Sequence, residues 1–122
     1  MKLVNKSISR DSMMHKELAA GRWFEFSLVE QMANIGSDIK RTIKWKNEGN
    51  KPYSEKAFER ALELLYLTVE DPKNKKRLKE ILRTRECLID LYCFDNEYQT
   101  TDEIWQKYFY QFTYAAALRR RR

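Results

Sequence analysis

Few side chains in this sequence are placed to carry out catalysis. His15 is the only histidine, and Asp11 precedes it by four residues, a spacing that sets an acid–base pair on one helix face. No motif places a nucleophile beside that pair, and the three glycines stand too far apart to form a phosphate-binding loop. The predicted helices also lack the Glu-x-x-His pattern of a di-iron bundle. The sequence therefore favours a protein that is not an enzyme, and we predict neither a metal nor a cofactor.

Positive charge is concentrated in two regions of the chain. From Lys73 to Arg85 there are seven basic residues and one acid, Glu80. The last four residues are all arginine and account for four of the six units of net positive charge. Because clustered bases bind phosphates in a salt-dependent way, we predict that both regions contact RNA or DNA. The predicted contact residues are Lys73, Lys76, Arg77, Lys79, Arg83, Arg119, Arg120, Arg121 and Arg122.

Alternative interpretations of these two regions stay open. The first region can be an ordinary solvated helix face, neutralised by acids on the preceding helix. Those acids are Glu55, Glu59, Glu63 and Glu70. The arginine tail can compensate the negative end of a helix, or it can be a segment foreign to the natural protein.

Arg85 differs from its basic neighbours. It lies seven residues after Leu78 and seven before Tyr92, which places it on the apolar stripe of its helix. We expect its guanidinium to reach solvent along its alkyl stem or to pair with an acid on a facing helix, and a role in a pocket is the alternative.

Aromatic residues accumulate near the C-terminus, with six of them in ten positions. Trp105 belongs to the stripe that faces inward, whereas Tyr110 and Tyr114 share another side of the same helix. A helix that is apolar on two sides is usually buried on two sides. We therefore predict that Trp105, Tyr110 and Tyr114 contribute to a subunit interface in a homo-oligomer, with base stacking beside the arginine tail as the alternative.

Four amphipathic helices must position these residues. The first begins at a capping box formed by Ser27 and Glu30, and Gly36 in the middle of this helix is expected to allow close helix approach. The second begins near Ser54, the third at Asp71-Pro72, and the fourth at a capping box formed by Thr100 and Glu103. A short extra helix is predicted between Ser12 and Gly21. The predicted fold is all-α: an antiparallel four-helix bundle over residues 1–118, followed by a basic tail at 119–122.

Composition excludes several other classes of protein. With 3 Gly and 2 Pro in 122 residues, a many-stranded sandwich or barrel is excluded. No apolar run reaches the ~18 residues of a membrane span, and the first thirty residues lack a signal peptide's apolar block. Cys87 and Cys93 project from different sides of one predicted helix and do not suggest a disulfide. We therefore predict a cytoplasmic protein that does not contact membranes.

Two runs of sequence resemble a family of small, uncharacterised bacterial helical proteins. They are Ser27 to Ser37 (SLVEQMANIGS) and Ala57 to Leu65 (AFERALELL). The architecture also resembles the HEPN group of helical bundles, which dimerise and include ribonucleases. Those ribonucleases carry an Arg-x4-6-His motif on a late helix, and here the only pair with that spacing is Arg10 with His15. The resemblance therefore implies a HEPN-like shape more than a HEPN-type nuclease.

Three hypotheses about function follow. The first is a non-enzymatic, self-associating helical bundle that binds a partner, with nucleic acid as the leading candidate. The second is a HEPN-like ribonuclease or toxin–antitoxin component that uses Arg10 and His15. The third is a protein–protein adaptor without a nucleic-acid role, whose partner is encoded by a neighbouring gene.

Overall fold

The computed structural model describes residues 21–121, and this part of the chain is all-helical, as predicted, with no strand. In chain order the elements are a 3₁₀ turn at Arg22–Glu25, α1 (Leu28–Asn47), α2 (Lys51–Glu70), a 3₁₀ helix at Pro72–Arg77, α3 (Leu78–Cys93) and α4 (Asp102–Arg120). The short helix predicted to begin at Ser12 lies outside the described residues.

The start of α1 is the one predicted most accurately. Ser27 Oγ accepts a hydrogen bond from Glu30 N at 3.2 Å, and Glu30 Oε1 accepts one from Ser27 N at 3.1 Å, which completes the predicted capping box. The apolar stripe of α1 then enters the core, where Ile35 and Ile39 are at most 1% exposed. The periodic spacing thus located both the helix and its buried face.

The starts of α2 and α4 differ from the prediction. Asn50, and not Ser54, caps α2 by accepting a hydrogen bond from Tyr53 N at 3.1 Å. Ser54 is buried, and its hydroxyl donates to the carbonyl of Thr42 at 2.8 Å. Thr101, and not Thr100, caps α4. In both cases the predicted cap lies no more than four residues from the real one, because several hydroxyl or amide side chains compete for the role.

The third helix begins later than predicted. Asp71 does act as an N-cap, with its side chain accepting a hydrogen bond from Lys73 N at 3.1 Å, but the helix that it caps is the 3₁₀ helix at Pro72–Arg77. α3 begins at Leu78. Asn74 lies within this 3₁₀ helix. It is 2% exposed, and its side-chain amide donates to the carbonyl of Thr68 at 3.0 Å.

The core lies between α1 and its neighbours α2 and α4, and α2 also packs on α3. Gly36 allows α1 and α4 to approach closely, as expected, because a Cβ atom at this position would lie 2.7 Å from Phe109 Cβ. Leu82 of α3 lies four residues after Leu78, a spacing typical of an apolar stripe, but it is 44% exposed. One turn of α3 therefore presents an apolar side chain to solvent.

A buried polar network joins the first 3₁₀ turn to the junction between α2 and α3. Trp23 Nε1 donates to Thr68 Oγ1 at 3.0 Å, and Gln31 Nε2 donates to Asp71 Oδ2 at 2.9 Å. Asn74 Nδ2 completes it by donating to Gln31 Oε1 at 2.9 Å. Since polar groups are costly to bury unless they are hydrogen-bonded, this network defines how these segments pack.

No helix in the described part of the chain is long and apolar enough to cross a bilayer. Cys87 and Cys93 are both free thiols, and Cys87 is buried.

Candidate nucleic-acid interface

Four of the five predicted basic residues in the second 3₁₀ helix and α3 line one groove, and Lys73 does not. The groove has a volume of about 590 Å³, and Leu82 supplies its apolar floor. We call it the basic groove, and its charged lining residues are Lys76, Arg77, Lys79, Glu80, Arg83 and Glu86. Four of these are bases and two are acids, so the lining carries a net positive charge.

The two acids of the basic groove already have partners. Glu80 Oε1 accepts a hydrogen bond from Arg77 Nη2 at 2.7 Å, and Glu80 Oε2 accepts one from Tyr108 Oη, also at 2.7 Å. Glu86 accepts one from Tyr98 Oη at 2.7 Å. Neither acid forms an ion pair with Lys76 or Lys79, and no other described carboxylate does so. These two exposed ammonium groups are therefore available to phosphates.

The same contacts shift the pKa values of Glu80 and Tyr108. Burial acts to raise the pKa of Glu80, but hydrogen bonds from Tyr108 and Arg77 outweigh burial and leave that pKa below its usual value. Burial, together with the hydrogen bond to Glu80, raises the pKa of Tyr108 to about 12. Glu80 is thus held ionised and Tyr108 protonated at neutral pH, which anchors the start of α3 to α4.

Two acids of α2 have partners on α2 itself. Glu55 lies 3.9 Å from Lys51, and Glu70 accepts a hydrogen bond from Tyr66 at 3.2 Å. Glu63 is only 5% exposed. Among residues 21–121, no ion pair joins α2 to the basic groove.

Lys73 and Arg83 are already engaged within the molecule. Lys73 Nζ pairs with the buried carboxylate of Asp71 and donates to the carbonyl of Phe24 at 3.2 Å. The Arg83 guanidinium lies 5.1 Å from the centre of the Tyr98 ring. Lys73 therefore helps to close the fold, whereas Arg83 remains exposed at the edge of the basic groove.

Arg85 lies in a different environment from the basic groove. It is half-buried and lines a cavity of about 430 Å³ at the end of α3. The acids of that cavity are Glu86, Asp90, Asp95 and Glu97. Within the described part of the chain Arg85 forms no ion pair, and the acids near it belong to α3 and the loop that follows, not to a facing helix.

The arginine tail begins inside α4, which extends to Arg120. Arg119 Nη1 donates to Ser27 Oγ at 3.3 Å, so the end of α4 contacts the start of α1. Hydrogen bonds from Ser27 lower the pKa of Glu30, and the charges of Arg119 and Arg120 lower it further. Arg121 is exposed, and Arg122 lies outside the described residues.

Both basic regions meet the segment that precedes α1. Lys73 contacts Phe24, and Arg119 contacts Ser27, only three residues further along the chain. These two contacts bring the two basic regions, in which Lys73 and Arg119 are more than 40 residues apart in sequence, to one end of the molecule.

The predicted interface residues separate into two environments. Trp105 is 6% exposed, and its Nε1 donates to Thr100 Oγ1 at 3.0 Å inside the chain's own core. Tyr110 and Tyr114 are 64% and 55% exposed, with stacked rings whose centres lie 6.3 Å apart. Only the two tyrosines are accessible to another molecule.

Sequence analysis missed an aromatic and basic surface where α1 meets α2. A cavity of about 280 Å³ there is lined by Asp38, Arg41, Trp45, Tyr53, Lys56 and Arg60. A signal for it was present, because Lys40 to Lys46 contains four bases interleaved with Trp45. The residues that α2 contributes to this cavity are not clustered with other basic and aromatic residues in the sequence. They could be recognised only from the folded structure.

Few other features of the described residues indicate a chemical function. They contain no group of three His, Cys, Asp or Glu side chains that could hold a metal ion. Arg10 and His15, the residues of the ribonuclease hypothesis, lie outside residues 21–121. No family model, curated protein or solved structure matches the chain.

Proposed function

We propose that this chain is a non-enzymatic, self-associating helical protein that binds nucleic acid through the basic groove and the C-terminal arginines. The observation that carries the proposal is the state of Lys76 and Lys79. Both are exposed, both line the basic groove, and neither has an ion-pair partner among the described residues. Proteins bind the regularly spaced phosphates of RNA and DNA through neighbouring basic side chains that are not already paired with acids.

The proposal includes an antiparallel four-helix bundle, which three contacts support. Gln31 near the start of α1 bonds to Asp71 just after α2, at 2.9 Å. Lys46 near the end of α1 pairs with Asp102 at the start of α4, at 2.5 Å. Tyr92 near the end of α3 donates to the same Asp102 at 2.7 Å. Each contact joins the start of one helix to the end of another, as an up-and-down arrangement requires.

In this arrangement the two basic regions act together. The contacts of Lys73 with Phe24 and of Arg119 with Ser27 put both regions at the end of the bundle where α1 begins. A single nucleic-acid strand could therefore contact the basic groove and the arginines at once. Several phosphate contacts made together produce a steep dependence of affinity on salt.

Self-association is proposed to use the outer face of α4. Tyr110, Tyr114 and Leu118 recur every four residues, which places them on one side of the helix. Their exposed fractions are 64%, 55% and 45%. We call this surface the tyrosine stripe. Tyrosine suits such an interface because its ring gives apolar contact area and its hydroxyl can stay hydrated. The proposal places the protein in the cytoplasm with its nucleic-acid partner.

The test is a titration of labelled mixed-sequence RNA and DNA, single-stranded and duplex, followed by fluorescence anisotropy over a range of salt concentrations. We expect binding at low salt and a linear fall of log K with log salt concentration. Reversing two charges of the basic groove (Lys76→Glu with Lys79→Glu) should lower affinity at least tenfold and reduce the salt slope by about two.

The matched control carries the same change in net charge on exposed residues outside both the basic groove and the tyrosine stripe, Lys44→Glu with Lys51→Glu. It should retain most of the affinity. Equal losses in the two variants, or no binding by the parent at low salt, would refute the proposed function. Cleavage of the labelled RNA, abolished by His15→Ala, would instead support the ribonuclease hypothesis.

A further inference from the structure

The cavity between α1 and α2 has no role in the function proposed above. Its wall combines two aromatic rings with basic side chains, on a surface separate from the basic groove. We call it the Trp45–Tyr53 cavity. Of the two helices that form it, α1 contributes Trp45 and α2 contributes Tyr53.

The aromatic pair leaves ring surface open to solvent. The Trp45 and Tyr53 rings meet edge to face, with centres 5.1 Å apart and planes at 90°. Tyr53 is 56% exposed, and its backbone N–H is fixed by the side chain of Asn50 at the start of α2. Lys44 Nζ lies 5.0 Å from the centre of the Trp45 ring. The Tyr53 ring is thus positioned by its contact with Trp45 and still exposed, which suits it to stack against another flat ring.

Charge on the rim of the cavity is positive. Arg41 has a side chain that is 59% exposed, and its Nη1 donates to the buried carboxylate of Asp38 at 2.8 Å. Burial raises the pKa of Asp38, and the charges of Arg60 and Arg41 oppose that effect. Asp38 therefore orients Arg41 at the mouth of the cavity. With Lys56, also exposed, the rim places positive charge beside the aromatic platform.

We infer that the Trp45–Tyr53 cavity binds one unpaired nucleotide of a single-stranded nucleic acid. The base stacks on Tyr53, and the adjoining phosphates contact Arg41 and Lys56. Stacking needs a base whose face is accessible, and a duplex does not offer one in its interior. The inference rests on the proposed function for the class of partner, and it adds a preference for single strands that the basic groove alone does not provide.

Tryptophan fluorescence offers a direct test. Trp23 and Trp105 are 1% and 6% exposed, whereas Trp45 is half-buried and next to the cavity. Adding a single-stranded RNA of about twelve nucleotides, within the range of known site sizes, should quench the fluorescence of the parent. The quenching should disappear in Trp45→Phe. Persistence of equal quenching in that variant would overturn the inference.

The second measurement is the ratio of affinities for single-stranded RNA and for duplex DNA. Because one stacked base contributes about 1–3 kcal/mol, Tyr53→Ala should lower this ratio about tenfold. Tyr53 is exposed, so the variant should keep its helical circular dichroism. The matched control is Phe94→Ala, which removes another exposed aromatic ring, outside the basic groove and the tyrosine stripe, and should leave the ratio unchanged.

The outcomes separate this inference from the proposed function. If Tyr53→Ala leaves the ratio unchanged while the charge reversals at Lys76 and Lys79 weaken binding, the stacking site is wrong and the basic groove stands. If neither RNA nor DNA binds the parent at low salt, both proposals fail.

Discussion

Gly36 of α1 lies directly against Phe109 of α4, so closely that a Cβ atom on the glycine would lie 2.7 Å from Phe109 Cβ. The same Cβ would lie 3.1 Å from Cγ of the phenyl ring. Phe109 is buried, and the closest of its atoms is Cβ, which is attached directly to the α4 backbone, so a side chain at position 36 would require the helices themselves to shift. The approach of α1 to α4 therefore depends on the absence of a side chain at Gly36.

Gly36→Ala should destabilise the protein even though alanine is the better helix former. Alanine gains about 1 kcal/mol of helix propensity, but overpacking a core contact typically costs about 1–3 kcal/mol. We expect a net loss in the free energy of unfolding measured with urea. Ser37→Ala, at the exposed neighbouring position, is the control and should be neutral or slightly stabilising. A more stable Gly36→Ala variant would contradict the close approach.

Asn74→Ala should destabilise the buried network at the junction of α2 and α3. The substitution leaves Gln31 Oε1 and the Thr68 carbonyl without the amide that donates to them at 2.9 and 3.0 Å. Unpaired buried polar groups cost about 1–3 kcal/mol each, so we expect a loss of roughly 2 kcal/mol in chemical denaturation. Asn34→Ala, an exposed asparagine of α1, is the matched control. Losses of equal size would show that the network adds no stability.

Glu80 should make stability depend on pH in the acid range. Its pKa lies below the usual 4.5 in the folded chain, where Tyr108 and Arg77 bind the carboxylate. As pH falls, the unfolded chain takes up the proton first, so the stabilisation is complete above pH 4.5 and is lost as pH falls through the folded pKa. Glu80→Gln should therefore be less stable than the parent at pH 7, with a difference that shrinks below the usual pKa.

The control for this prediction is Glu97→Gln, which changes an exposed glutamate in the loop between α3 and α4. Denaturation curves at neutral and acid pH measure both variants against the parent. A stability difference for Glu80→Gln that stays constant with pH would contradict the role given to the Tyr108 and Arg77 hydrogen bonds.

Charges placed on the tyrosine stripe should prevent self-association. Tyr110→Glu with Tyr114→Glu puts two carboxylates where the rings now stack at 6.3 Å. Burying unpaired charge at an interface costs several kcal/mol, so we expect a monomer at concentrations where the parent is an oligomer. Light scattering coupled to size-exclusion chromatography measures the mass. The control is Tyr98→Glu, an exposed tyrosine outside α4, and a parent that is monomeric at every concentration refutes the interface.

Helix positions followed from local sequence more reliably than helix starts did. The four-residue spacing of Ile35, Ile39 and Ile43 identified α1, because an apolar side chain once per turn is a local property of a helix with one buried face. The start of α4 was misplaced by one residue because both Thr100 and Thr101 can cap. The indole of Trp105 occupies Thr100, which leaves Thr101 as the cap. Only the packed structure distinguishes two such neighbours.

The sequence by itself determined the helical class and the two regions where positive charge accumulates, since periodicity and charge density are local. Only the tertiary structure decided which of those charges remain available. Glu80 binds Arg77 and Tyr108, and Lys76 and Lys79 have no ion-pair partner among residues 21–121. The tertiary structure also brings Arg119 into contact with Ser27, and Trp45 into contact with Tyr53. The partner of each of these side chains is set by how the chain folds back on itself, and local sequence spacing does not specify that.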